Sequence, residues 1–127
     1  MKLLGHGRAS DIRSTKARFN AGDVLYGKLR PYLNKVVRPE FGGICSTDFL
    51  VFGESPAIDR GYLAHYLNQL WVADRAHHLS SGVELPRVAW KSLGELPITY
   101  PVSREVQQLI VRAIEVSEAR VPQLVGM

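Results

Sequence analysis

Residues 22–35 read Gly22-Asp23-Val24-Leu25-Tyr26-Gly27-Lys28-Leu29-Arg30-Pro31-Tyr32-Leu33-Asn34-Lys35, and the architecture turns on them. The Gly-Asp pair supplies a tight turn, after which Val24, Leu25 and Tyr26 make a short strand of β-favouring residues. Arg30 and Pro31 interrupt it, because proline has no amide to continue a ladder. Residues 33–37 predict a second strand. Pro39 with the paired Gly42 and Gly43 predicts a turn, and residues 47–52 form a third apolar run. Runs without polar alternation indicate strands covered on both faces. The expectation is an α+β fold built on a small mostly antiparallel sheet.

Downstream of that sheet, Asp59 is a helix cap, and Leu63, Tyr66, Leu67, Leu70 and Trp71 recur at steps of three and four as one apolar stripe. The pattern predicts one packed helix running to about His77 or His78, ended by Ser80, Ser81 and Gly82. A short turn around residues 90–93 and an extended segment over residues 96–100, closed by Pro101, come next. Ser103 caps a C-terminal amphipathic helix that Pro122 stops. Its apolar side carries Val106, Leu109, Ile110, Ala113 and Ile114. That stripe must lie either on the domain's own core or on a partner helix. Upstream, residues 1–18 show no clear period and read as a loop-rich opening.

The chain has 127 residues, 46% hydrophobic and 22% charged, enough for one compact unit. No apolar run approaches the roughly 18 residues of a membrane span, and the opening turns polar too early for a secretory signal. A cytoplasmic protein is therefore expected. The single cysteine, Cys45, cannot form an internal disulfide. Charge is unevenly distributed: residues 1–39 hold nine Lys and Arg against two acids, whereas the remainder holds seven against ten. A basic first third suits a polyanion, because clustered cations release the counterions condensed on phosphates. A solubilising face is the alternative.

Catalytic chemistry is poorly supported. Asp74, His77 and His78 sit at i, i+3 and i+4 on one helix, but a zinc site needs a further ligand such as His65 or Glu84, which the spacing does not supply. Cys45 lacks a recognisable nucleophile setting and reads as a small buried hydrophobe. The glycines of GHGRAS follow no strand and make no phosphate loop. Neither a metal nor a cofactor is expected. Binding fares better: Val24, Leu25 and Leu29 anchor the segment while Lys28, Arg30 and Lys35 project outward beside Tyr32, toward phosphates or, for Arg30, a guanine edge. The cations of residues 26–38 are expected to share one surface.

These segments, in order, resemble the target-recognition domain of type I restriction-modification DNA specificity subunits. GDVLYGKLRPYLNK is similar to that family's Gly-Asp turn, strand and basic Arg-Pro, and GGICSTDFLVF to the strand that succeeds it. YLAHYLNQLW resembles its Tyr-Leu helix, and LSSGVELPRVAWKSLGELPITYP its Ser-Gly turn and Leu-Pro-Ile strand. After Pro101 the family places a Glu-Gln pair; Glu105 and Gln107 remain here, separated. The resemblance covers residues 21–101. It implies a recognition domain over residues 1–102, with a shorter segment before the turn than the family usually carries. Residues 103–127 would begin a helical spacer that docks partners through Val106, Leu109, Ile110, Ala113 and Ile114. The implied function is noncatalytic recognition of one half of a split double-stranded DNA target, with methyltransferase and restriction subunits as partners. Lys16, Arg18, Lys28, Arg30, Tyr32, Lys35, Arg38 and Arg87 are the expected DNA face. The competing reading is a truncated recognition fold that serves as an interaction module, pairing with a second copy through the C-terminal helix.

Overall fold

The computed structural model describes residues 4–8, 18–82 and 86–120. Its elements in chain order are β1 (Leu4–Arg8), β2 (Arg18–Phe19), β3 (Val24–Gly27), a 3-10 turn (Pro31–Leu33), β4 (Val36–Val37), β5 (Gly43–Ile44), β6 (Phe49–Phe52), α1 (Arg60–Leu67), α2 (Leu70–Leu79), β7 (Ser80–Ser81), β8 (Arg87–Val88), α3 (Trp90–Leu93), β9 (Pro97–Pro101) and α4 (Arg104–Arg120). The α+β class expected from the sequence holds. The strands form four small antiparallel sheets: β4-β3-β6, β1-β9, β2-β5 and β7-β8.

Strand β3 is the centre. Val24 and Tyr26 point into the main core with Leu50, Phe52, Leu63, Leu67, Val72 and Ile98. Leu25 and Val51 face the other way, onto Phe19. Because both faces are covered, the strand has no polar alternation. Burial also pushes the Tyr26 hydroxyl up to about 12.

The turn that launches β3 explains the Gly-Asp pair. Gly22 has φ +86°, which favours glycine, and a Cβ there would lie 2.9 Å from the Arg60 guanidinium and displace it. Asp23, only 4% exposed, accepts the Asn20 amide at 2.8 Å and Arg60 Nη1 at 3.1 Å.

Three expectations need correction. Residues 4–8 are a strand rather than loop: β1 pairs with β9 from Leu4↔Pro101 to Arg8↔Pro97. Its glycines conceal an ordinary strand pattern, since the Tyr100 ring occupies the space a Cβ on Gly5 would need, 2.5 Å away. The second strand shrinks to Val36–Val37, because residues 31–33 wind into the 3-10 turn. The helix from the Asp59 cap, whose carboxylate does accept the Tyr62 amide at 3.1 Å, divides in two. Gln69 is extended at φ −72°, ψ 146°, and the Asn34 side chain donates to the Asn68 carbonyl at 2.7 Å. After the break Val72, Ala73 and Ala76 turn inward, leaving Leu70 84% exposed.

Helix α4 begins as expected, with Ser103 Oγ accepting the Val106 amide. It is seated by a buried glutamine. Gln107 is fully buried; its Oε1 accepts the Asp59 amide at 2.6 Å, and its Nε2 donates to the carbonyls of Ala57 and Pro101, both at 2.8 Å. The oxygen and both hydrogens of the amide are engaged, joining α4, the α1 cap and the end of β9. Gln107→Leu keeps the volume but strands these backbone groups, and should lower unfolding free energy by roughly 3 kcal/mol. A reduced urea midpoint at unchanged m-value is the expected reading.

Candidate nucleic-acid interface

Beyond Gly27 the chain builds a shelf from three backbone segments. The Lys28 amide donates to the Asp48 carbonyl at 2.7 Å and the Val88 amide to the Lys28 carbonyl at 3.0 Å, while the Arg30 amide donates to the Pro86 carbonyl at 2.6 Å. Leu29 bridges Arg87, and the Gly27 amide reaches the Lys35 carbonyl at 2.9 Å. Residues 28–35 are thus laced to residues 48 and 86–88. Arg30, Tyr32, Lys35 and Arg87 border the shelf's solvent side, with Lys28 half-buried. The Tyr32 ring meets His77 edge-on at 5.3 Å, which steadies the turn against α2.

Of the expected DNA-face residues, Lys28, Arg30, Tyr32, Lys35 and Arg87 come together around this end of β3. Arg18 and Arg38 do not join them. The register Leu25↔Val37 carries Arg38 to the opposite, Val24 end, where its Nε donates to the Gly22 carbonyl at 3.0 Å. Arg18 borders a cleft there with Asp23, Glu54 and Arg60. The cations of residues 26–38 therefore occupy two ends of one sheet rather than a single surface, because β4 runs antiparallel to β3 and returns the chain to its start. Lys16 lies outside the described residues.

Two residues that the sequence reading passed over organise the charge. Asp48 receives Arg87 through Nε at 2.8 Å and Nη2 at 3.5 Å, so Arg87 directs its fork inward to a carboxylate. That hydrogen bond, then the charges of Arg87 and Lys28, hold the Asp48 carboxyl below its usual value of 3.8. Arg60 bridges Asp23 at 3.1 Å and Glu54 at 3.3 Å, and with Arg38, Asp59 and Arg104 it borders a cleft of about 570 Å³. An Arg at the start of an amphipathic helix gives no signal of its own; only the proximity of the Gly-Asp turn reveals its role.

Elsewhere, the His78 ring Nδ1 donates to the Asp74 carbonyl at 2.8 Å and His77 is engaged by Tyr32. Among the described residues no group of three or more His, Cys, Asp or Glu is placed to hold a metal, and Glu84 falls outside them. Cys45 packs at the edge of the Phe19–Leu25–Val51 cluster. No described helix is long and apolar enough to cross a membrane. On α4 the expected docking stripe splits: Ile110 and Ile114 close a cleft with Tyr62, His65 and Tyr66 of α1, whereas Val106 is 42% and Leu109 56% exposed. Ala113 stays outward, and Val116, 51% exposed, extends that side.

No family model matches the chain. Its sequence is 35% identical over 104 residues to the Type I restriction enzyme EcoDI specificity subunit of Escherichia coli, covering 82% of this chain and 23% of that protein. Among solved structures, a chain from a type I restriction-modification system studied for complex assembly and conformational transition matches with TM-score 0.74 at 16% identity, over 94% of this chain and 44% of that one. The type I S subunit from M. genitalium matches with TM-score 0.70 at 12% identity, over 92% and 39%. The resemblance drawn from residues 21–101 thus holds in sequence and in fold, and the chain is similar to a target-recognition domain of type I specificity subunits. It spans about a quarter of the length of the E. coli relative it matches.

Asp48 provides a pH test of the shelf. A depressed folded pKa makes its contribution to stability complete above the unfolded value of 3.8 and lost as pH falls through the lower folded value. Carbon-detected NMR should find the Asp48 carboxyl still mainly ionised at pH 3.8, and Arg87→Ala should move its midpoint back up toward that value.

Proposed function

We propose that the chain is a noncatalytic DNA-recognition module of a type I restriction-modification system, working in the cytoplasm. It reads one half of a split double-stranded target, while methylation and cleavage reside in partner methyltransferase and restriction subunits. The likeness to a specificity subunit across 82% of the chain carries this reading. The shelf supports it physically. Lys28, Arg30 and Lys35 stand on a hydrogen-bonded platform, without an ion-pair partner among the described residues, and such cations bind phosphates by releasing counterions. Tyr32 and Arg87 border the same platform, and Arg18, Arg38 and Lys16 would lengthen the contact along the duplex. The reading requires no cofactor. Residues 1–102 form the recognition domain, and residues 103–127 begin the spacer.

Duplex binding measured by fluorescence anisotropy across a salt series of about 50 to 200 mM, where phosphate neutralisation dominates affinity, tests the proposal. Lys28→Ala with Lys35→Ala should weaken binding and flatten the log–log salt dependence by roughly 0.9 for each phosphate no longer neutralised. Unaltered affinity and slope would reject the shelf as the DNA face.

The outward side of α4 favours a second role. Val106, Leu109, Ala113 and Val116 follow the three-four-three spacing of a coiled-coil seam, and the first, second and fourth are substantially exposed. A partner helix, from a second copy or from another subunit, would cover this seam. Sedimentation velocity at high micromolar concentration should show a dimer that Leu109→Asp with Val116→Asp divides. A monomer at that concentration rules out self-pairing.

A further inference from the structure

Arg30 has a backbone that no other cation of the shelf shares. Its φ of 49° and ψ of 66° are left-handed, and among the described non-glycine residues only Asn34, at φ 51°, also has positive φ. Asparagine tolerates that region through its short polar side chain; arginine does not, and a residue preceding proline is normally extended. Such strain persists only when the surroundings over-determine it. Here they do so from both sides. The Arg30 amide is held by the Pro86 carbonyl at 2.6 Å, its carbonyl accepts the Leu33 amide at 2.9 Å, and Pro31 behind it is buried. A glycine would occupy the same position without steric cost, so the conformation itself does not explain the arginine.

The side chain is also free to reach a ligand where those of Arg87, Arg38 and Arg60 are not. Arg87 is held by Asp48, Arg38 by the Gly22 carbonyl and Arg60 by Asp23 and Glu54. Arg30 is exposed and makes no side-chain hydrogen bond or ion pair among the described residues. We infer that Arg30 is the specificity-determining cation of the shelf. Its guanidinium forks onto the O6 and N7 acceptors of a guanine in the major groove, while Lys28 and Lys35 on either side grip phosphates. A fixed backbone position suits this division: it sets where the side chain starts, and the planar guanidinium fork supplies the two parallel hydrogen bonds of base readout, whereas a phosphate accepts a mobile ammonium. The inference rests on the DNA-binding reading above.

Selection of bound sequences from a randomised duplex pool by the full chain, at near-physiological salt, tests it. The unsubstituted chain should enrich a short consensus containing guanine. Arg30→Ala should erase the preference at one guanine position, a decline of roughly 5- to 150-fold in discrimination there, and leave the other positions intact. Lys28→Ala and Lys35→Ala should weaken binding to all sequences alike and keep the consensus. Arg30→Gly controls for folding. Freed from the left-handed penalty, it should match or exceed the parent's urea midpoint and still lose the same guanine. A consensus unchanged in Arg30→Ala overturns this assignment alone; no enrichment by the unsubstituted chain overturns the DNA-binding reading together with it.

Discussion

The buried carboxylate of Asp23 governs how the central strand is placed. It sits at the head of β3, almost without solvent, satisfied by the Asn20 amide and by Arg60 from the first turn of α1. Removing the arginine would leave an uncompensated charge in the interior, a cost of several kcal/mol in general. The pair therefore fixes where β3 begins relative to α1. At its other end the strand delivers the chain at Gly27 to the shelf, so the direction of the cationic loop follows from an ion pair at the far end of the sheet.

Packing and polar satisfaction cooperate in holding that geometry. The main core clamps β3 from one side through Val24 and Tyr26, while Gln107 threads α4, the α1 cap and the end of β9 together with three hydrogen bonds. The shelf is rooted in that core through Val88 and the buried Pro31. It depends on amide–carbonyl bonds among residues 28–35, 48 and 86–88 and on the Arg87–Asp48 pair. A rigid scaffold carrying an exposed, polar-bonded loop is a usual arrangement for recognition, since the core supplies stability and the loop is free to vary.

The two ends of the central sheet have different electrostatic characters. Around Gly22, arginines are interleaved with Asp23, Glu54 and Asp59, and their charges are largely spent in holding elements together. Around Gly27, Asp48 pairs with Arg87 and feels the charge of Lys28. A basic stretch of sequence thus divides into a structural part and a part that faces solvent. In the second, Lys28, Arg30 and Lys35 have no ion-pair partner among the described residues and so have charge to offer a polyanion.

Much of this was legible before any coordinates: the α+β class, the Gly-Asp turn, the buried strands β3 and β6, the caps at Asp59 and Ser103, and the likeness to specificity-subunit recognition domains. These are local signals or patterns of burial, which the chain carries wherever it folds. The break between α1 and α2 was not; there the side chain of Asn34, distant in sequence, donates to the carbonyl of Asn68. Nor was β1, whose Gly5 makes room for Tyr100, or the separation of Arg38 from Lys28 and Arg30, its near neighbours along the chain. Whether a cation can serve a ligand or is held by a carboxylate depends on what the fold brings within about 3 Å of it, and neither composition nor spacing carries that information.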